Sequence, residues 1–253
     1  MPRLSDNLRL SVYLAAAIFL PATHSLADEI MVAVASNFTA PAKTLVEQFE
    51  QATAHEVTLI FGSTGKHYAQ VMNGAPYDVL LAADARRPKL LDAGGRSVPE
   101  SRIVYAIGRL ALWSAQPGYV DADGAVLARD DFRFLAIANP DLAPYGAAAV
   151  NVMQALGVWD RLQGRLVRGE NIGQTFQFVR SRNAELGFVA VAQLRGLAPT
   201  VAGSLWEVPP TLYPPIEQQA VLLTDSGAAR EFLDYLQSDP AKTIIAEFGY
   251  AIP

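Results

Sequence analysis

The run IMVAVASNFTAPAKTLVEQF, residues 30–49, decides the fold. Residues 30–35 are all apolar, the length of a strand buried on both faces. Ser36-Asn37 stops that run, after which Leu45, Val46, Phe49 and Ala52 recur on one helical face. Ser36 or Asn37 is expected to cap this helix, with Pro41 in its first turn. Working outward, the unit repeats. Residues 57–61 read as a second strand and Gly62-Ser63-Thr64-Gly65 as a tight loop, and a short helix over 66–73 bears Tyr68, Val71 and Met72. Residues 77–83 read as a third strand, closed by Asp84 and followed by a helix around Leu90 and Leu91. Strand, short polar loop, helix, strand is the grammar of a parallel sheet with right-handed crossovers.

A second block follows. Residues 104–114 form an unusually long strand candidate, and 134–138, 165–167 and 186–190 are further strands. Helices over 147–156 and 173–182 separate them, each preceded by a polar or glycine-bearing turn, at 144–146 and 171–173. After the proline-rich stretch 209–215 another strand is expected over 218–223. Two helices then finish the chain, one carrying Ala229, Phe232, Leu233 and Leu236, the other opened by Pro240. The long strand and the returning strand suggest two lobes, 28–108 plus 218–253 and 109–217, joined by two extended connections with a cleft between them. In open parallel sheets ligands sit beyond the carboxyl ends of strands. Four loops have that position: 36–37, 62–65, 144–146 and 171–173. Helix N-termini with added hydroxyls suit an oxyanion, because each carries about half a positive charge and unpaired N–H donors.

Composition narrows the field. The chain has 253 residues, 51% apolar and 18% charged, which argues against disorder. With 25 acidic against 20 basic residues it is no nucleic-acid binder acting through global positive charge. The absence of cysteine excludes disulfides, thiolate metal sites and lipid attachment through cysteine. Residues 1–27 read as a secretory signal: Arg3 and Arg9 precede an apolar run over 11–20, and Ser25-Leu26-Ala27 offers a cleavage site. Its removal shifts the formal charge from −5 to −6. The run is far shorter than the roughly 20 residues of a membrane span.

Other patterns have ordinary explanations. GSTGK resembles a phosphate loop, but the Walker pattern needs glycine at 60 and Ser or Thr at 67, where Ile60 and His67 stand. His55 and His67 lack metal-ligand spacing and read as surface or structural residues. Asp78 and Asp84 read as strand-capping or loop carboxylates. Asn37-Phe38-Thr39 is a formal glycosylation sequon, a short pattern that by itself carries little weight. No nucleophile, base and orienter occur together, which argues against an enzyme.

The runs AVASNFTAP (33–41), FGSTGKHYAQ (61–70), NGAPYDVLLAAD (73–84), YAIGRLALWSA (105–115), NPDLAPYG (139–146) and LGFVAVAQL (186–194) together resemble the periplasmic molybdate-binding proteins of ABC transporters. The resemblance extends from about Ile30 to the terminal GYAIP. It implies an α/β, type II periplasmic binding protein fold, two lobes each with a mostly parallel sheet flanked by helices. It also implies a non-enzymatic, monomeric periplasmic protein that captures molybdate, and tungstate, and delivers it to a membrane permease. Molybdenum would enter only as the bound oxyanion, with no further cofactor. Carried over residue by residue, the ligand set falls on Ser36, Asn37, Thr64, Tyr145 and Ile172. Ser36 and Thr64 would supply hydroxyl and backbone donors, the other three mainly backbone N–H. Some members add a tyrosine hydroxyl from the strand matching 186–190, where this chain has Ala190; the resemblance then implies that Asn37 stands in for it. The alternatives are a receptor of the same fold for sulfate or another small anion, and the sensor domain of a regulator. The signal segment and the lack of a DNA-binding segment oppose the latter.

Overall fold

The computed structural model describes residues 28–129, 131–198 and 203–253. The expected signal segment, 1–27, lies outside the described residues.

In chain order, β1 (Glu29–Ala35) runs through a short 3-10 turn, Ser36–Phe38, into α1 (Thr39–Ala52). Then come β2 (Glu56–Gly62), α2 (Thr64–Met72), β3 (Val79–Ala82) and α3 (Arg86–Ala93). β4 (Ile103–Gly108) is followed at once by β5 (Leu110–Ser114). β6 (Leu135–Ala138), α4 (Pro144–Ala155), α5 (Trp159–Leu162), β7 (Leu166–Gly169), α6 (Ile172–Arg180), β8 (Leu186–Ala190) and α7 (Val191–Arg195) continue the chain. β9 (Ser204–Glu207), β10 (Ile216–Leu222), α8 (Gly227–Leu236) and α9 (Asp239–Glu247) complete it.

The strands form two five-stranded sheets, ordered β2-β1-β3-β10-β4 and β7-β6-β8-β5-β9. Each has one reversed strand in fourth place: β10 is antiparallel to both β3 and β4, and β5 to both β8 and β9. The other strands share one direction, so both sheets are mostly parallel, as expected. Apolar clusters cover both faces of each sheet. Val32 and Val34 pack with Phe38, Leu45 and Phe232 on one side of the first sheet, while Ala33 and Leu80 face Val71 and Leu91 on the other. This is why residues 30–35 read as an unbroken apolar run.

The long strand candidate, 104–114, is two strands in two sheets. Its break falls at Arg109, whose carbonyl accepts from Val191 N at 3.0 Å and whose guanidinium pairs with Glu207. Pairing with β10 on one side and β8 and β9 on the other pulls the halves into different sheets. β9 escaped the sequence reading because SLWE is short and carries no period-2 apolar pattern.

Three helices begin earlier than their periodicity suggested. α2 starts at Thr64 because Ser63 Oγ accepts from Lys66 N at 3.4 Å. α6 starts at Ile172 because Asn171 Oδ1 accepts from Gln174 N at 3.0 Å. α4 starts at Pro144, whose ring presets the helical φ. Residues expected in loops therefore occupy first helical turns. Conversely, neither Ser36 nor Asn37 caps α1: Phe38 holds that position without a side-chain bond.

Candidate functional site

The expected loops all lie at carboxyl ends of parallel strands. β1 ends into Ser36, β2 into Thr64, β6 leads to Tyr145 and β7 to Ile172. Ser36, Asn37, Thr64, Tyr145 and Ile172 line one small cavity of about 10 Å³ between the sheets. All five are buried. Ala35, Gly62, Ser63, Ala83, Ala143 and Pro144 complete the lining. Ala83 and Ala143 were not singled out from sequence, since an alanine contributing only surface leaves no chemical signal.

Backbone donors converge here. Thr64 and Ile172 are first residues of α2 and α6, and Tyr145 is the second residue of α4. N–H groups at these positions have no acceptor within their own helix. Among the described residues, no hydrogen bond uses them. The neighbouring N–H groups are spoken for: Gly65 N donates to Leu142 O at 2.8 Å and Gly146 N to Ala143 O at 2.9 Å.

Both hydroxyls are oriented by main chain. Thr64 Oγ1 accepts from Ala83 N at 3.0 Å, and Ser36 Oγ accepts from Gly173 N at 3.2 Å. A hydroxyl that accepts in this way keeps its single proton to donate elsewhere. The Ser36 bond also joins the two sheets' helices, which is where the hydroxyl expected to cap α1 has gone.

Asn37 directs its side chain away from the Ser36 and Thr64 hydroxyls. Its amide nitrogen donates to Gln218 Oε1 at 2.8 Å and to Tyr250 OH at 3.0 Å, which uses both protons. In this structure the side-chain amide is thus engaged behind the cavity. Ala190 is buried at the end of β8 and is not part of the lining.

No charged side chain lines the cavity. The nearby cations are neutralised. Lys66 Nζ lies 2.6 Å from Glu170 Oε1 across the cleft, and this carboxylate pushes the Lys66 pKa up. Arg87 pairs with Asp84 and donates to Asp141 O at 2.7 Å. The two histidines among the described residues are structural: His55 contacts Glu231, and His67 lies between Val34 O and Gln70, where burial lowers its pKa. Asp78 accepts from Met31 N at 2.8 Å, holding β1 beside β3, and Asp84 accepts from Arg87 N at 2.8 Å. Among the described residues, no group of three or more His, Asp or Glu could hold a metal ion.

Helix N-termini and two poised hydroxyls around a buried void without countercharge form a site for a small, fully ionised anion. Comparison with known proteins agrees. The model of the bacterial extracellular solute-binding protein family matches residues 30–251. The molybdate-binding protein ModA of Azotobacter vinelandii is 49% identical over 247 residues, 96% of this chain and 97% of that protein. That of Rhodobacter capsulatus is 45% identical over 253 residues, 99% of each. The solved periplasmic molybdate-binding protein of Azotobacter vinelandii superposes with a TM-score of 0.85 at 42% identity, covering 88% of this chain and 99% of that one.

Proposed function

Because the chain belongs to the bacterial extracellular solute-binding protein family, we propose that it captures molybdate between its lobes and delivers it to the permease of an ABC transporter. Tungstate, of the same shape and charge, is the second ligand. The observation that carries this reading is the convergence of α2, α4, α6 and the Ser36–Phe38 turn on one buried cavity lined by neutral donors. Ser36 and Thr64 give hydroxyl protons, and Asn37, Thr64, Tyr145 and Ile172 give backbone N–H. Hydrogen bonds to an ionised acceptor contribute about 1.5–3 kcal/mol each, so several together offset the desolvation of a dianion without a cationic ligand.

The same donor set sets specificity. Hydrogen phosphate retains a proton that needs an acceptor, and no carboxylate lines the cavity. A buried donor left unpaired costs about 1–3 kcal/mol. Sulfate is fully ionised and is rejected by size, being smaller than the metalates. Under this proposal the chain is a periplasmic monomer exported through residues 1–27, performs no chemistry on its ligand, and needs neither cofactor nor nucleic acid.

Calorimetric titration of the ligand-free chain with molybdate, tungstate, sulfate and phosphate tests the reading. Molybdate and tungstate should bind at one site with high affinity, and sulfate and phosphate at least a hundredfold more weakly, about 2.7 kcal/mol. Tight sulfate binding with no molybdate heat would replace the reading with its sulfate alternative.

A further inference from the structure

Behind the cavity lies a buried polar cluster, of which Gln218, Tyr105 and Tyr250 take no part in the cavity's lining. Gln218 on β10 is fully buried, and its Oε1 accepts from Asn37 Nδ2 at 2.8 Å and from Tyr105 OH at 3.1 Å. Tyr250 OH donates to Asn37 O at 2.9 Å. All four residues belong to the lobe of the first sheet. Into this cluster reaches one group from the other lobe, the Tyr145 phenol on α4, which accepts from Gln218 Nε2 at 3.4 Å and also bonds Tyr250.

Two backbone features shape the receptacle. The β10–β4 register shifts between Gln218 and Gln219, leaving Tyr105 as an extra residue in β4 beside Gln218. Bulges of this kind re-aim side chains. Gly108, the last residue of β4, makes room: a Cβ there would overlap the Tyr145 hydroxyl and lie 3.0 Å from Gln218 Nε2. Burial pushes the pKa values of Tyr105, Tyr145 and Tyr250 upward, so the phenols stay neutral hydrogen-bonding groups.

We propose that Tyr145 and Gln218 are a positioning pair: the phenol of one lobe seats in the amide-centred receptacle of the other, registering the Tyr145 backbone donor against the Asn37 backbone donor when the lobes close. Simple carry-over of a backbone role to Tyr145 expects Y145F to be silent; the receptacle expects otherwise. The inference rests on the oxyanion reading of the cavity.

Wild-type protein is first titrated with molybdate; failure to bind would overturn the oxyanion reading and the pair with it. Given wild-type binding, Y145F should raise the Kd roughly tenfold through faster dissociation, with the association rate within about twofold, because the phenol seats after encounter. In a Gln218→Met background, or Gln218→Glu should the first not fold, adding Y145F should cause little further loss. A Kd for Y145F within twofold of wild type overturns the pairing. So does an undiminished effect in the Gln218 background, which would show that the phenol acts through something else.

Discussion

The lobe of the first sheet brings Ser36 and Thr64 to the cavity, each with a hydroxyl oriented by a main-chain N–H, while the lobe of the second sheet brings Tyr145 and Ile172, whose side chains are committed elsewhere. Ile172 packs into the apolar core and the Tyr145 phenol reaches the buried cluster. One half thus presents side chains and main chain, the other main chain alone. The difference divides labour within one site. Under the proposed reading, the aimed hydroxyls of one face and the helix N-termini of the other hold the same anion, and the N–H groups, unlike the hydroxyls, survive any side-chain exchange except one to proline.

Three variants probe that asymmetry. The largest effect is expected from Ser36→Ala with Thr64→Ala, which strips the side-chain donors of one half. Each lost hydroxyl should weaken molybdate binding by about 1–3 kcal/mol, so the pair should cost about thirtyfold or more in calorimetric Kd. Loss under fivefold would mean that backbone dipoles of both halves do nearly all the holding.

Gly65→Ala acts on the seam. Gly65 N bonds Leu142 O across the cleft, and a Cβ at Gly65 would lie 2.9 Å from Leu142 Cα, against backbone that cannot swing aside. The closed form should be penalised by about 1–3 kcal/mol, as for overpacking elsewhere, while the ligand-free melting temperature stays near wild type. Affinity unchanged with stability lowered would show that the contact is not made on closing.

The smallest effect belongs to Ile172→Val. Trimming one methylene from a buried core position should lower stability by about 0.5–1.5 kcal/mol, yet leave the molybdate Kd within twofold because the donor is the backbone N–H. A tenfold loss of affinity would place the Ile172 side chain in the recognition itself.

Much of this was readable in advance because it is local. Unbroken apolar runs such as 30–35 announce strands covered on both faces, and polar or glycine-bearing turns after them announce the ends where ligands bind. All five expected residues border the same cavity. What escaped was conformational detail and long-range pairing. Ser36 looked like a cap for its own helix, since capping is what a serine after a strand ordinarily does. Its hydroxyl instead meets Gly173, 137 positions away. Gln218 and Tyr250 carried no motif, and Asn37 meets them across 181 and 213 positions.

The amino-acid order alone determined the alternating grammar, the two-block division and the four turns able to present donors, because hydrophobic period and turn chemistry act over a few residues. Only the tertiary structure decided that Thr64, Tyr145 and Ile172 lie in first helical turns with free N–H groups, that Ser36 bridges the cleft, and that Asn37 turns its amide inward. Those outcomes depend on which buried polar atoms find partners once distant segments meet, and that competition is settled by packing rather than by sequence neighbours.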